Sequence, residues 1–326
     1  MDIWFVDAAG AHRHGPPDLE DLLARGDGFT WIDVPTFDDD AEGVLRRLGC
    51  HEMVVEACRR RNYVPTVHGY GDHVFVTTQS PFRGPAGHVH LLELDQLVAD
   101  RHLVTVHGPI NPDVELEHAL VETQGVLARI QGGRLRPTSP LEVCYAVTSA
   151  VARRQSAMVR EVAARLPGLE RQVLDQQLRD PESLLETMFL VRHELTTTRT
   201  MAAQCHDIWE RLGEIRPDLD PRQAGQVRDL ADQFARVRSL ADGESQFLSG
   251  VIELYQTKVH TKMTVAMERL AVIAAVTLPI TALASIYGMN LIVNDETRFL
   301  LLAGVLAVMA GISFLLLRWA RRQGWW

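Results

Sequence analysis

The sequence predicts an α/β N-terminal cytoplasmic domain, a long helical stalk and two C-terminal transmembrane helices. Three observations carry that prediction. Short β-branched or aromatic runs alternate with a helical pattern in the first 110 residues, helical periodicity runs without proline between Pro221 and Pro279, and two late stretches, Leu270 to Asn294 and Phe299 to Leu317, hold no charged side chain. At 46% apolar and 23% charged residues the average composition hides this uneven spread, so the pattern along the chain decides.

The strand signals come first. Phe29 to Val34, His73 to Thr78 and Leu103 to Val106 read as strands, with the helical-looking Ala41 to Arg60 between the first two. From about Asn111 onward Gly and Pro thin out. Breaks at Gly132-Gly133, Pro137-Thr138-Ser139-Pro140, Pro167-Gly168, Asp180-Pro181 and Pro217 to Pro221 divide three or four amphipathic helices. Residues 1–180 are assigned to the α/β domain with its following helices, and 181–269 to the stalk.

After Pro221 the periodicity enters the first apolar stretch with no obvious cap, which predicts one helix about 100 Å long at 1.5 Å per residue. A helix of that length is seldom stable alone, and the pattern calls for bundling with copies of itself. Gly225, Gly243 and Gly250 interrupt the run and leave a kink near Asp242-Gly243 open.

Each uncharged stretch reaches the roughly 20 residues that a helix needs to cross about 30 Å of hydrocarbon, and neither keeps a water-facing charged stripe. The spans are placed at 270–290 and 299–317, with an external loop at 291–298 and a basic cytoplasmic tail at 318–326. Lys258, Lys262 and Arg269 precede the first span, and Arg318, Arg321 and Arg322 follow the second. The connector holds one Arg against Asp295 and Glu296. By the positive-inside rule both ends face the cytoplasm of a cell whose inner membrane the chain crosses twice. Met1-Asp2-Ile3-Trp4 lacks the basic start of a secretory signal, so the first 260 residues are expected to stay inside. Cys50, Cys58, Cys144 and Cys205 are scattered without a CxxC pair and are expected to be reduced.

Several function classes are disfavoured. A net charge of -9 speaks against a nucleic-acid partner, which would demand a basic face. No GxxxxGK[ST], HExxH or GxSxG motif occurs, so the sequence calls for no nucleotide, no organic cofactor and no enzyme chemistry. His68 and His73, His88 and His90, and His102 and His107 sit near strand ends without making a ligand set, and are read as surface or packing residues.

Leu278-Pro279-Ile280-Thr281-Ala282-Leu283-Ala284-Ser285-Ile286-Tyr287-Gly288-Met289-Asn290, followed by a short acidic loop and a final span, resembles the signature of the CorA family of divalent-cation (Mg2+/Co2+) channels. The likeness extends to Met267 and Leu270 at the membrane approach, Arg228-Asp229-Leu230-Ala231-Asp232 on the stalk, Val67 to Phe75 at a strand entry, and the basic, aromatic tail from Arg321 to Trp326. The resemblance implies a homopentamer whose first span lines a pore. It implies a selectivity filter at Gly288, Met289 and Asn290, apolar constrictions at Met267, Leu270 and Leu278, and Mg2+ as both transported and regulatory ion, with Asp229 at a regulatory metal position. Thr264 stands where the family commonly has Asn, and Asn294-Asp295-Glu296 where it often has Met-Pro-Glu.

These residue types suit the task. Mg2+ is small and gives up its waters reluctantly, so a selective mouth should offer neutral oxygens to the hydration shell, as the Asn290 amide does. Gly288 lets the backbone leave helical geometry, either to expose carbonyl oxygens or simply to end the helix. Below it Thr264, Met267, Ala271, Ala274, Leu278, Thr281 and Ser285 recur at steps of three or four and share a face smaller and more polar than the side carrying Ile273, Ile280 and Leu283. Two readings of that face stay open, a pore lining and close helix packing through small residues. Glu253, Gln256 and His260 continue the face into the stalk, where Glu253 would draw cations into a funnel. Asp295 and Glu296 would concentrate them at the entrance. Two further readings of the whole chain compete: a zinc transporter of the same family, and a two-span receptor or scaffold that transports nothing.

Overall fold

The computed structural model describes residues 1–85, 87–109, 112–175, 180–288 and 299–322. It divides into two compact units, Met1–Val251 and Ile252–Trp326.

The first unit is built on a sheet of β1 (Asp2–Asp7), β2 (Gly10–His14), β3 (Gly28–Val34), β4 (Thr66–Gly69), β5 (His73–Arg83), β6 (Val89–Ala99) and β7 (His102–Val106), in the order β2-β1-β3-β7-β6-β5-β4. β3 and β7 pair in parallel, and the other neighbours are antiparallel. Successive side chains leave a strand on opposite faces, so each strand feeds two cores. Trp31, Val76 and Leu103 enter one, while Ile32, Phe75 and Val104 enter the other.

Helices α1 (Leu19–Ala24), α2 (Asp39–Arg47) and α3 (Glu52–Arg59) close the second core with Leu19, Leu22, Val44, Leu45, Val54 and Val55. After the single turn α4 (Leu116–Ala119), the first core is closed by α5 (Val121–Gln131), α6 (Pro140–Leu174), α7 (Pro181–Ile215) and the beginning of α8 (Pro221–Gly288), through Val126, Val147, Trp209 and Phe234. The result is a helix–sheet–helix sandwich.

The long helices start where proline and a short polar residue coincide. Ser139 accepts from the Glu142 amide at 3.4 Å, and Asp180 from the Ser183 amide at 3.1 Å. Asp220 accepts from the Arg222 and Gln223 amides at 2.8 and 2.9 Å. Each cap satisfies amides that have no partner inside the helix, and Pro140, Pro181 and Pro221 occupy first-turn positions where a missing N–H costs nothing.

The helical-looking stretch Ala41 to Arg60 is divided between two helices, α2 and α3. Gly49 adopts φ +73°, the Cys50 amide bonds the Leu45 carbonyl at 3.1 Å, and the Gly49 amide bonds that of Arg46 at 3.1 Å, a left-handed stop that satisfies the last carbonyls of α2. The break expected at Pro167-Gly168 does not occur, because α6 runs through it. Proline inside a helix costs about 3 kcal/mol. Around it Val162, Leu166, Leu169 and Val173 are all buried, and at about 1.5–3 kcal/mol each their packing outweighs that cost.

Helix α7, read as the start of the stalk, packs within the first unit, where Leu195, Met201, Cys205 and Trp209 are buried. α8 is a single helix of 68 residues, as its periodicity predicted. Three polar pairs tie its first turns to α6: Arg222 to Glu142 at 2.9 Å, Tyr145 to Asp229 at 2.7 Å and Gln233 to Ser149 at 3.1 Å. The final helix, α9 (Phe299–Arg322), has 24 residues.

Candidate functional site

The second unit joins the C-terminal part of α8 to α9. Both are long and apolar enough to cross a membrane, and only 6% of either apolar window is buried inside the chain. Soluble core helices of this composition would be mostly covered. Here Leu270, Leu278 and Leu300 are 65%, 67% and 92% exposed, so the hairpin has to be covered by something outside the chain.

What is covered forms one stripe on each helix. On α8 it comprises the buried Val272 with the half-buried Val276, Pro279, Ile280 and Leu283, and on α9 it runs through Val305, Met309, Ile312, Ser313 and Leu316 to the buried Ala320. Thr264, Met267, Ala271, Ala274, Leu278, Thr281 and Ser285 are all exposed. At 3.6 residues per turn the centre of that set lies about 150° round the helix from the covered stripe. The small, polar face is therefore not the one used to pack the helix inside its own chain. Glu253, Gln256 and His260 continue it, also exposed.

The threonines on α8 bond to their own backbone. Thr264 Oγ1 donates to the His260 carbonyl at 3.0 Å and Thr281 Oγ1 to that of Thr277 at 2.9 Å. With the hydroxyl hydrogen committed within the helix, the oxygen's remaining lone pairs are left to accept, which suits water around a cation and not an anion. Met267, Leu270 and Leu278 interrupt this polar lining with bulky apolar side chains. Gly288 is the last residue of α8, while Met289, Asn290, Asp295 and Glu296 lie outside the described residues.

Asp229 belongs to the first unit. Its Oδ2 accepts from Tyr145 at 2.7 Å and from Gln233 Nε2 at 2.6 Å, and the residue is half-buried. Oδ1 accepts no hydrogen bond from the described residues, so one oxygen remains for water or a cation. A lone carboxylate is a poor cage for a divalent ion. Among the described residues no group of three or more His, Cys, Asp or Glu side chains could hold a metal. Any regulatory site at Asp229 must be completed by ligands from elsewhere, including other copies of the chain.

Sequence reasoning missed the partners of Asp229, although Tyr145 and Ser149 on α6 share the four-residue step of Asp229 and Gln233 on α8. It also missed two acids inside the sheet. Glu93 accepts from the Asn62 amide at 2.6 Å and its side-chain nitrogen at 3.0 Å, and Asp95 accepts from Thr77 at 2.7 Å. Burial pushes the Glu93 carboxyl up to about 7, and burial together with the neighbouring Glu93 charge raises Asp95 well above the usual carboxylate range. Of the histidines, His73 pairs with Asp72 at 2.6 Å and His107 with Asp33 at 2.9 Å, both as buried packing residues.

Known proteins resemble this chain in sequence and in fold. The model of a family described as CorA-like Mg2+ transporter protein matches residues 26–322. The cobalt/magnesium transport protein CorA of Thermotoga maritima is 22% identical over 315 residues, covering 94% of this chain and 87% of its own. The complete structure of the CorA magnesium transporter from Methanocaldococcus jannaschii is similar with a TM-score of 0.78 at 16% identity, over 100% of this chain and 99% of that one. The cytoplasmic domain of ZntB from Vibrio parahaemolyticus is similar with a TM-score of 0.60 at 13% identity, over 81% and 98% of the two chains. At these identities the structural likenesses are likenesses of fold.

Proposed function

This chain belongs to the CorA-like Mg2+ transporter family and is a membrane transporter of divalent cations, and from that premise we propose that it admits Mg2+ to the cell as a homopentameric channel in the cytoplasmic membrane. The observation that carries this reading is the exposed face of α8 from Thr264 to Ser285, small and polar, turned away from the stripe that α8 buries in its own chain. Two helices cannot enclose a pore, so the face needs copies of itself. Five copies, as the family resemblance implies, would set it around an axis with the covered side outward.

In this reading the hydrated ion meets neutral oxygens from Gly288 to Asn290, then passes Ser285, Thr281 and Thr264. Ala271 and Ala274 keep the path wide, and Leu278, Leu270 and Met267 close it by expelling water. Asp295 and Glu296 gather cations outside and Glu253 draws them on within. A doubly charged ion moving inward gains about 4.6 kcal/mol per 100 mV of potential, so influx needs no nucleotide. Both termini lie in the cytoplasm, where Asp229, bridged by Mg2+ to a neighbouring copy, favours the closed state as internal Mg2+ rises. Cobalt and nickel ions share the oxygen-lined route.

The test is metal flux into vesicles containing the purified chain, comparing Mg2+, Co2+, Ni2+ and Zn2+ for wild type and Asn290→Ala. Mg2+ entry that is lost in Asn290→Ala is the expected result. Selective Zn2+ entry would turn the reading to a zinc transporter, and the absence of any flux would turn it to a scaffold.

A further inference from the structure

The last turns of α9 bring two arginines and two large apolar side chains onto one stripe. Phe314, Leu317, Arg318 and Arg321 line a groove of about 320 Å3. Their spacing of i, i+3, i+4 and i+7 makes them neighbours on the helix surface. All four are exposed, Phe314 by 65%. The candidate span Ala303–Arg322 ends on this groove, which sets its apolar half toward acyl chains and its arginines at headgroup level.

What can fill it follows from charge. Arg318, Arg321 and Arg322 outweigh the roughly half negative charge that a helix C-terminus carries. Residues 299–322 contain no Asp or Glu, so α9 of a second copy brings no carboxylate here, and the acid at the start of the apolar part of α8, Glu268, is half-buried within its own chain. A free anion would use the arginines and leave Phe314 and Leu317 bare. A lipid phosphate uses both halves, because the guanidinium fork matches phosphate oxygens while the chain below covers the apolar pair. A zwitterionic lipid carries its own cation beside the phosphate and gains less.

We propose that this groove binds an anionic phospholipid, its phosphate held by Arg318 and Arg321 and an acyl chain laid along Phe314 and Leu317. The site depends on the span crossing a bilayer and not on which ion the protein carries.

Phe314 is on the groove face and marks the place for a reporter. Full-length protein carrying F314W, with Trp319, Trp325 and Trp326 replaced by Phe, is placed in mixed phosphatidylglycerol and phosphatidylcholine vesicles, with bromine on one lipid or the other. The signal is taken as the difference from the same protein with Phe314 kept. Brominated phosphatidylglycerol should quench it with an apparent preference of about fivefold or more over phosphatidylcholine, the factor expected for each basic side chain near an anionic surface. In R318Q/R321Q the preference should fall to about one, while quenching by phosphatidylcholine persists and shows that the span is still inserted. R318K/R321K should keep part of the preference as point charges. A wild-type preference of one, or an undiminished preference in R318Q/R321Q, overturns the proposal. So does loss of preference on adding millimolar inorganic phosphate, which would make this an ion site.

Discussion

Tyr145 on α6 donates its hydroxyl hydrogen to Oδ2 of Asp229 on α8 at 2.7 Å. The bond fixes one oxygen of a carboxylate that the family resemblance placed at a regulatory position. It also distinguishes the two oxygens, since Oδ2 serves the fold and Oδ1 accepts no hydrogen bond from the described residues. Replacing the whole side chain would confound them.

Asp229→Asn keeps an acceptor for Tyr145 and removes the charge. If Asp229 is part of the brake, this variant should go on conducting at internal Mg2+ concentrations that close the wild type, with thermal stability unchanged. Closure at the wild-type concentration would remove Asp229 from the brake. Flux against internal Mg2+ in loaded vesicles is the measurement.

Leu278 is 67% exposed on the face shared by Thr281 and Ser285. If that face lines the pore, Leu278→Asn should make it wettable at this level and raise flux under closing conditions several-fold, because an apolar constriction gates by expelling water. Unchanged closed-state flux would mean that the constriction lies elsewhere on α8.

Glu194 is 1% exposed and receives Arg83 Nη2 at 2.7 Å as well as a bond from Arg165. Glu194→Ala would remove the buried partner of two guanidinium groups that themselves reach solvent, 31% exposed for Arg83 and 40% for Arg165. The expected loss is about 1–2 kcal/mol, read as a lowered unfolding midpoint in detergent, with Glu194→Gln intermediate. A midpoint equal to wild type would show that the arginines find other partners at no cost.

Glu93 titrates at about 7 in the folded protein, against an ordinary 4.5. Between those values the native state holds a proton that the unfolded state has lost, so this group's contribution to stability is full below about 4.5 and declines as pH rises through 7. The loss amounts to about 3 kcal/mol at most. Glu93→Gln should flatten the fall in stability between pH 5 and pH 8 and make the protein the more stable of the two at pH 8. An unaltered slope would assign the pH dependence to other groups.

How much of this was legible beforehand depended on whether the deciding force was local. β3 and β7 showed themselves through Phe29 to Val34 and Leu103 to Val106, and α8 through its proline-free periodicity, because side-chain pattern alone determines such elements. The division of Ala41 to Arg60 rested on one glycine taking a left-handed conformation, which a helical pattern does not announce. The passage of α6 through Pro167 rested on tertiary burial of Leu166 and Leu169, which outweighs a local penalty. β6 carries Glu93, Asp95 and Gln96 inside the sheet, so its alternation does not look like a strand's. In the candidate site, the face of α8 could be listed from spacing. That it is the uncovered face could not, since this depends on which stripe the hairpin hides.

The single helix from Pro221 to Gly288 makes residue count a coordinate. Within the second unit, Val272 lies on the stripe that the chain itself covers and Ser285 on the exposed one. With no turn between them to absorb slack, one inserted residue shifts the phase of everything beyond it by about 100°, and four nearly restore it. Between those two positions the number of residues is therefore under as strict a constraint as their identity, even where a side chain is exposed and individually replaceable.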